Sequence, residues 1–148
     1  PTMPWRWLVA AVVVAALGYA SWRKYRRMRA ELATMDPGAL IRARAAFAHL
    51  RVMDLAAAGE SGRHLLAHVQ VLRRYLGERW PQLSPALTAR EVAARVEQIE
   101  FPLLPERLST VLTRAEAVAY AGDRISADVA AADAEAAVTI VEDLERAW

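Results

Sequence analysis

His64 and His68 stand four residues apart, a spacing that puts two imidazoles on one face of a helix, where they could ligate a metal. A metal site needs three or four ligands. The nearest acid, Glu60, lies one turn earlier, and His49 could join only by tertiary approach. Ser61 beside His64 has the residue types of a nucleophile and its base. No elbow motif or oxyanion loop surrounds it, so it is expected to mark a helix start. Glu142, Asp143 and Glu145 form an acidic cluster. It is either a solvated helix face or a docking surface for a basic partner. Arg73, Arg74 and Arg79 read as a solvated face, since the six glycines nowhere cluster into a phosphate-binding loop. The absence of cysteine excludes disulfides, cysteine-ligated zinc or iron–sulfur centres and a thiol nucleophile. The chain is therefore expected to be non-enzymatic, with no cofactor, no metal, no small-molecule substrate and no nucleic-acid partner.

The elements that must position these groups read as helices. The chain has 148 residues, 55% of them hydrophobic, which is one domain's worth of protein and too apolar for disorder. Asp36 and Pro37 mark a helix start after a break. Leu40, Ala43, Phe47, Leu50 and Ala57 then recur at helical spacing, up to the segment Ala58–Gly62. Leu65, Val69, Leu72, Leu76 and Trp80 share the face of a second helix, stopped at Pro81. Thr88 and Glu91 form a capping box before Val92, Val96 and Ile99. A further helix carries Leu104, Leu108, Val111, Ala115 and Val118 and closes at Gly122. Ser126 caps the last, whose inward residues are Ala137, Ile140, Val141, Leu144 and Trp148. No stretch alternates with period two. The expected fold is all-α: one N-terminal transmembrane helix followed by a small cytoplasmic bundle of about five helices. The expected domains are 1–33, the anchor with its basic juxtamembrane segment, and 34–148.

The anchor rests on Trp7 to Trp22, sixteen residues without a charge. As a helix they cover ~24 Å against a hydrocarbon core of ~30 Å. Trp5 and Trp7 at one end, and Tyr19, Trp22 and Tyr25 at the other, form two aromatic belts suited to the headgroup zones. Ala11, Ala15 and Gly18 offer a small-residue face for a neighbouring helix. The span has no histidine for a heme or chlorophyll metal and no acid for a proton path. Directly after it, Arg23, Lys24, Arg26, Arg27 and Arg29 place five positive charges in seven residues. Such a cluster stays in the cytoplasm and attracts anionic lipid headgroups. The N-terminus is then outside and the helical domain cytoplasmic, at a bacterial inner membrane. The opening at Pro1 rather than methionine is what a processed protein would show.

Charge is segregated along the chain. Residues 1–29 carry +6, residues 30–96 carry +3 and residues 97–148 carry −7. Three motifs look familiar together: Leu72-Arg-Arg-Tyr-Leu-Gly-Glu-Arg-Trp80, Leu87-Thr-Ala-Arg-Glu-Val92, and Leu112-Thr-Arg-Ala-Glu-Ala-Val-Ala-Tyr120 followed by Ser126-Ala-Asp. They resemble the membrane-anchored C-terminal cytoplasmic helical domain of BatD-type aerotolerance proteins, over roughly Leu40 to Trp148. The resemblance implies a helical domain after a transmembrane helix, without catalytic residues. The family has a large extracytoplasmic part before its span, where this sequence shows only a few residues. The function expected first is an accessory subunit of a larger membrane complex, energy-transducing or photosynthetic in kind, whose partners are other integral membrane proteins. The alternative is a BatD-like assembly or stress-tolerance factor working with an ATPase chaperone.

Overall fold

The computed structural model describes residues 18–24, 38–122 and 124–147. The chain divides into two units, Pro1–Asp36 and Pro37–Trp148. In the first, residues 18–24 are helical, and Tyr19 and Trp22 lie with ring centroids 6.1 Å apart. Among the described residues no helix is long and apolar enough to cross a membrane. Of the expected span only residues 18–22 are described. Trp5, Trp7, Ala11, Ala15, Tyr25, Arg26, Arg27 and Arg29 lie outside the described residues.

The second unit consists of five helices: α1 (Gly38–Met53), α2 (Ser61–Arg79), α3 (Ala89–Val96), α4 (Pro105–Tyr120) and α5 (Ala127–Arg146). No strand occurs among the described residues, so the all-α class holds. α2 is the central helix. It packs against α5, α1 and α4, while α3 rests on α4. The apolar positions of α2 explain this. Leu65, Leu72, Tyr75 and Leu76 are all fully buried and meet Leu108 and Leu112 of α4 and Ile140, Val141 and Leu144 of α5 in one core. Burying each large apolar side chain contributes about 1.5–3 kcal/mol, which lets a unit of this size hold its own core.

Local chemistry sets the helix ends. The Thr88 hydroxyl accepts from the Glu91 amide at 3.2 Å, and Glu91 accepts from the Thr88 amide at 2.8 Å, the expected capping box. Ser126 accepts from the Val129 amide at 3.3 Å and caps α5, again as expected. Gly122 follows α4 with φ +67°, a left-handed position that glycine adopts without a Cβ penalty. Gly77 has a different reason for being glycine. A Cβ there would stand 2.8 Å from Pro85 Cδ, because the loop after α2 folds back onto the helix.

Two expectations fail at helix ends. α1 stops at Met53, so Ala57 is an exposed turn residue rather than part of the helical face. Asp54 takes φ +46° and its carboxylate accepts from the Ala57 amide at 3.4 Å, a local bond that competes with the helix. Leu104 is the N-cap of α4 and 69% exposed, because Pro105 takes the first helical position and leaves Leu104 outside the turn. Trp148 lies outside the described residues.

Candidate functional site

Helix α5 presents its acids to the arginines of three other helices. Arg44 of α1 grips Glu142 in a forked pair, Nε to Oε1 and Nη2 to Oε2, each at 2.8 Å. Arg79 of α2 holds Glu145, with Nε 3.0 Å from Oε1 and Nη2 donating to Oε2 at 3.2 Å. The Tyr75 hydroxyl donates to the same carboxylate at 2.5 Å. Arg107 of α4 donates to Asp143 at 2.9 Å, and Arg146 donates to its other oxygen at 3.0 Å. Nearer the start of α5, Arg114 of α4 bonds both oxygens of the buried Asp133, at 2.9 and 2.8 Å. The hydrogen bonds and charge of Arg44 hold the Glu142 carboxyl below the ordinary carboxylate range, against some desolvation. Desolvation, followed by the bond to Glu145, pushes the Tyr75 hydroxyl well above the usual phenol value.

The segregation of charge along the sequence is thus satisfied inside the domain. The acids of α5 close on Arg44 and Arg79 from residues 30–96 and on Arg107 and Arg114 from within the acidic segment itself. Glu142, Asp143 and Glu145 diverge to three different helices and form a clamp rather than a shared patch. Sequence reasoning missed their partners Arg44 and Arg107 and the Arg114–Asp133 pair, and its solvated face of Arg73, Arg74 and Arg79 holds for Arg74 alone, since Arg79 and Arg73 are 8% and 12% exposed and engaged with Glu145 and Glu116. The one available signal was the opposite net charge of residues 30–96 and 97–148.

The histidines occupy the other end of α2. His68 is buried, with Nδ1 2.8 Å from the His64 carbonyl oxygen. A carbonyl only accepts, so the proton of neutral His68 sits on Nδ1. Its ring stacks on Phe47 of α1 at 5.7 Å and lies 4.4 Å from the His64 ring. Burial lowers the His68 pKa below its ordinary value. The His64 Nδ1 atom is buried with no hydrogen-bond partner among the described residues. His49 is exposed on α1. Among the described residues no group of three or more metal-ligating side chains comes together. Ser61 is the first residue of α2, the helix-start position expected for it.

One concave feature of the domain, of about 460 Å³, is lined by Glu100, Phe101, Pro102 and Ala147; another is an open cleft of about 380 Å³ between α2, α4 and the loop before α3. Leu66, Val69, Leu87 and Ala115 supply apolar walls, and Tyr120 stands at the rim, 89% exposed. The charged floor is already engaged by the fold. Arg73 donates to the Leu87 carbonyl and, at 3.2 Å, to Glu116. Glu116 also accepts from the Ala89 amide at 2.5 Å, where a carboxylate favours the N-terminus of α3. Thr88 is engaged by its capping box. With its charges paired, the cleft suits an incoming apolar side chain better than an ionic substrate.

The motifs behind the BatD resemblance fall on these same positions. Leu72, Tyr75, Leu76 and Trp80 are core, Gly77 admits the loop, and Arg79 grips α5. Set beside protein-family models, curated proteins and solved structures, the chain matches none of them.

Proposed function

We propose that this chain is a non-enzymatic, single-pass membrane protein serving as an accessory subunit of a larger membrane complex. The observation that carries the proposal is the uncharged run from Trp7 to Trp22, flanked by aromatic residues and followed by five basic residues in seven. With its flanks the run approaches the length a span needs, and aromatic ends followed by basic residues suit the two membrane interfaces. The charge asymmetry puts the N-terminus outside and the helical domain in the cytoplasm, at a bacterial inner membrane. The face Ala11, Ala15, Gly18 packs on a neighbouring transmembrane helix. The α2–α4 cleft supplies the docking surface, because the oxygens of Glu142, Asp143 and Glu145 are taken by the domain's own arginines. Its occupant is an apolar side chain on a cytoplasmic segment of another subunit.

Tagged full-length protein, purified in mild detergent, should bring down integral membrane proteins at fixed stoichiometry and should resist carbonate extraction. Tyr120→Glu, at a fully exposed site, should reduce that recovery while leaving the helical circular dichroism unchanged. Recovery of the chain alone, or in the carbonate supernatant, would sink the proposal. The BatD-type motifs favour a second reading, an assembly or stress-tolerance factor. It requires an ATPase chaperone among the captured proteins and no fixed stoichiometry.

A further inference from the structure

Helix α1 is apolar on two opposite sides. Ala39, Ala43 and Phe47 enter the core. On the far side Ile41, Ala45, Ala48 and Val52 are all exposed, Ile41 at 65% and Val52 at 84%. Their spacing of four, three and four residues confines them to an arc of roughly 60° along the whole helix. Ordinary amphipathic helices turn a polar face outward. Here the outward face is an aliphatic stripe, and basic residue types border it on both sides: Arg44 and Arg51 along one edge, Arg42 and His49 along the other. The helix contains no acidic residue. Two of the arginines are tethered from below, Arg42 by Glu78 and Arg44 by Glu142, which neutralises those two acids and fixes the guanidinium groups beside the stripe.

We propose that α1 is an interfacial helix whose Ile41–Val52 stripe lies in the surface of an anionic bilayer, with its flanking basic groups among the headgroups. An aliphatic stripe edged by cations is the pattern of helices that lie in a membrane interface, and long arginine stems can reach outward from the apolar level. Continuity in sequence favours a bilayer as the occupant. Eight residues separate α1 from Arg29, the end of the juxtamembrane basic cluster. A second copy of the chain is the poorer occupant. The stripe is symmetric about its centre and would suit an antiparallel helix pair, but that pairing sets Arg44 against Arg51 along one edge and Arg42 against His49 along the other, basic groups with no acid of α1 to answer them. The proposal deepens the membrane reading above and rests on it only for the continuity argument.

The chain has no cysteine, so single substitutions to cysteine can each carry an environment-sensitive fluorophore. Full-length protein bearing Ala45→Cys or Ala48→Cys is reconstituted into vesicles of mixed phosphatidylglycerol and phosphatidylcholine, or of phosphatidylcholine alone. Ala94→Cys on α3 and Ala131→Cys on α5, both exposed, serve as controls. Expected is a blue shift and strong quenching by nitroxide lipids at positions 45 and 48, greatest with phosphatidylglycerol, with the controls remaining in water. Adding Arg51→Ala should lower the bound-to-free ratio of α1 at the surface by about fivefold. Ile41→Asp with Val52→Asp should abolish the quenching, and because both sites are exposed the circular dichroism should not change. Equal water exposure at all four positions in a chain that resists carbonate extraction would overturn the interfacial helix and leave the anchor standing. Quenching at 45 and 48 in a chain that carbonate removes would uphold the interfacial helix and defeat the anchor. Probes at 45 and 48 shielded in lipid-free detergent, with cross-links between chains, would overturn the proposal in favour of a second copy.

Discussion

The Arg79–Glu145 pair and the Arg63–Glu60 pair are alike in chemistry and opposite in worth. The side chains of the first are 8% and 18% exposed, and those of the second 71% and 40%. Truncating one member of a buried pair leaves the other charge desolvated. Glu145→Ala should therefore cost about 3 kcal/mol, whereas Glu60→Ala should change stability by less than about 1 kcal/mol. Denaturant melts of the two variants decide this, and equal effects would mean that burial does not control the pair. His68 makes a prediction about pH. Its folded pKa lies below the ordinary 6.5 because burial disfavours the imidazolium. Its contribution to stability is complete above the unfolded value and is lost as pH falls through the lower folded value. The wild-type chain should weaken as pH falls from 7 to 5, and His68→Leu, which removes the titrating group, should flatten that slope. An unchanged slope would place the titration elsewhere.

At the scale of elements, the short helix α3 depends most on its ends. It has eight residues, too few to be stable by propensity alone. Thr88→Ala removes the cap hydroxyl and should destabilise the domain by about 1 kcal/mol. The same order of loss is expected for Ser126→Ala, but α5 runs for 20 residues and is held by packing. Hydrogen exchange should therefore show local opening of α3 in Thr88→Ala and no local opening of α5 in Ser126→Ala. Gly77→Ala would stabilise an isolated helix. In this fold its Cβ meets Pro85 at 2.8 Å, so the substitution should cost about 1–3 kcal/mol through overpacking. A stabilised Gly77→Ala chain would mean that the Pro85 loop moves aside freely.

At the scale of the whole domain, four arginine–carboxylate links tie α5 to the other helices, and the one at Glu142 is acid-sensitive. Glu142 has its folded pKa lowered by Arg44 from the ordinary 4.5. Its stabilisation is therefore present above that value and disappears as pH falls through the folded one. Denaturant melts at descending pH should therefore show the domain losing stability as pH falls through that folded value. Charge reversal at Glu142, Asp143 and Glu145 to lysine together should destabilise the domain at neutral pH, because it sets like charges against Arg44, Arg107 and Arg79. A triple variant that folds normally would show that the clamp is incidental to the fold.

The sequence by itself determined what depends on near neighbours. The capping box at Thr88 and Glu91, the Ser126 cap, the inward residues of α2, and Ala137, Ile140, Val141 and Leu144 of α5 were legible, because capping acts within three residues and helical periodicity repeats every three or four. The aromatic and basic flanks of the Trp7–Trp22 run are equally local. Local bonds also defeated the sequence where they were subtle. Nothing in the apolar pattern foretold that Asp54 would turn left-handed and end α1 before Ala57. Only the tertiary structure decided the use of charge. Arg44 and Glu142 are 98 positions apart, and Arg79 and Glu145 are 66 apart. No period or motif joins such residues, because the distance that matters to an ion pair is set by how helices cross. The acidic cluster that looked ready for a partner was closed by arginines the fold brought to it. The outward stripe of α1 became visible only when Ala39, Ala43 and Phe47 were seen to face the core, since a helix apolar on both sides leaves its orientation to its neighbours.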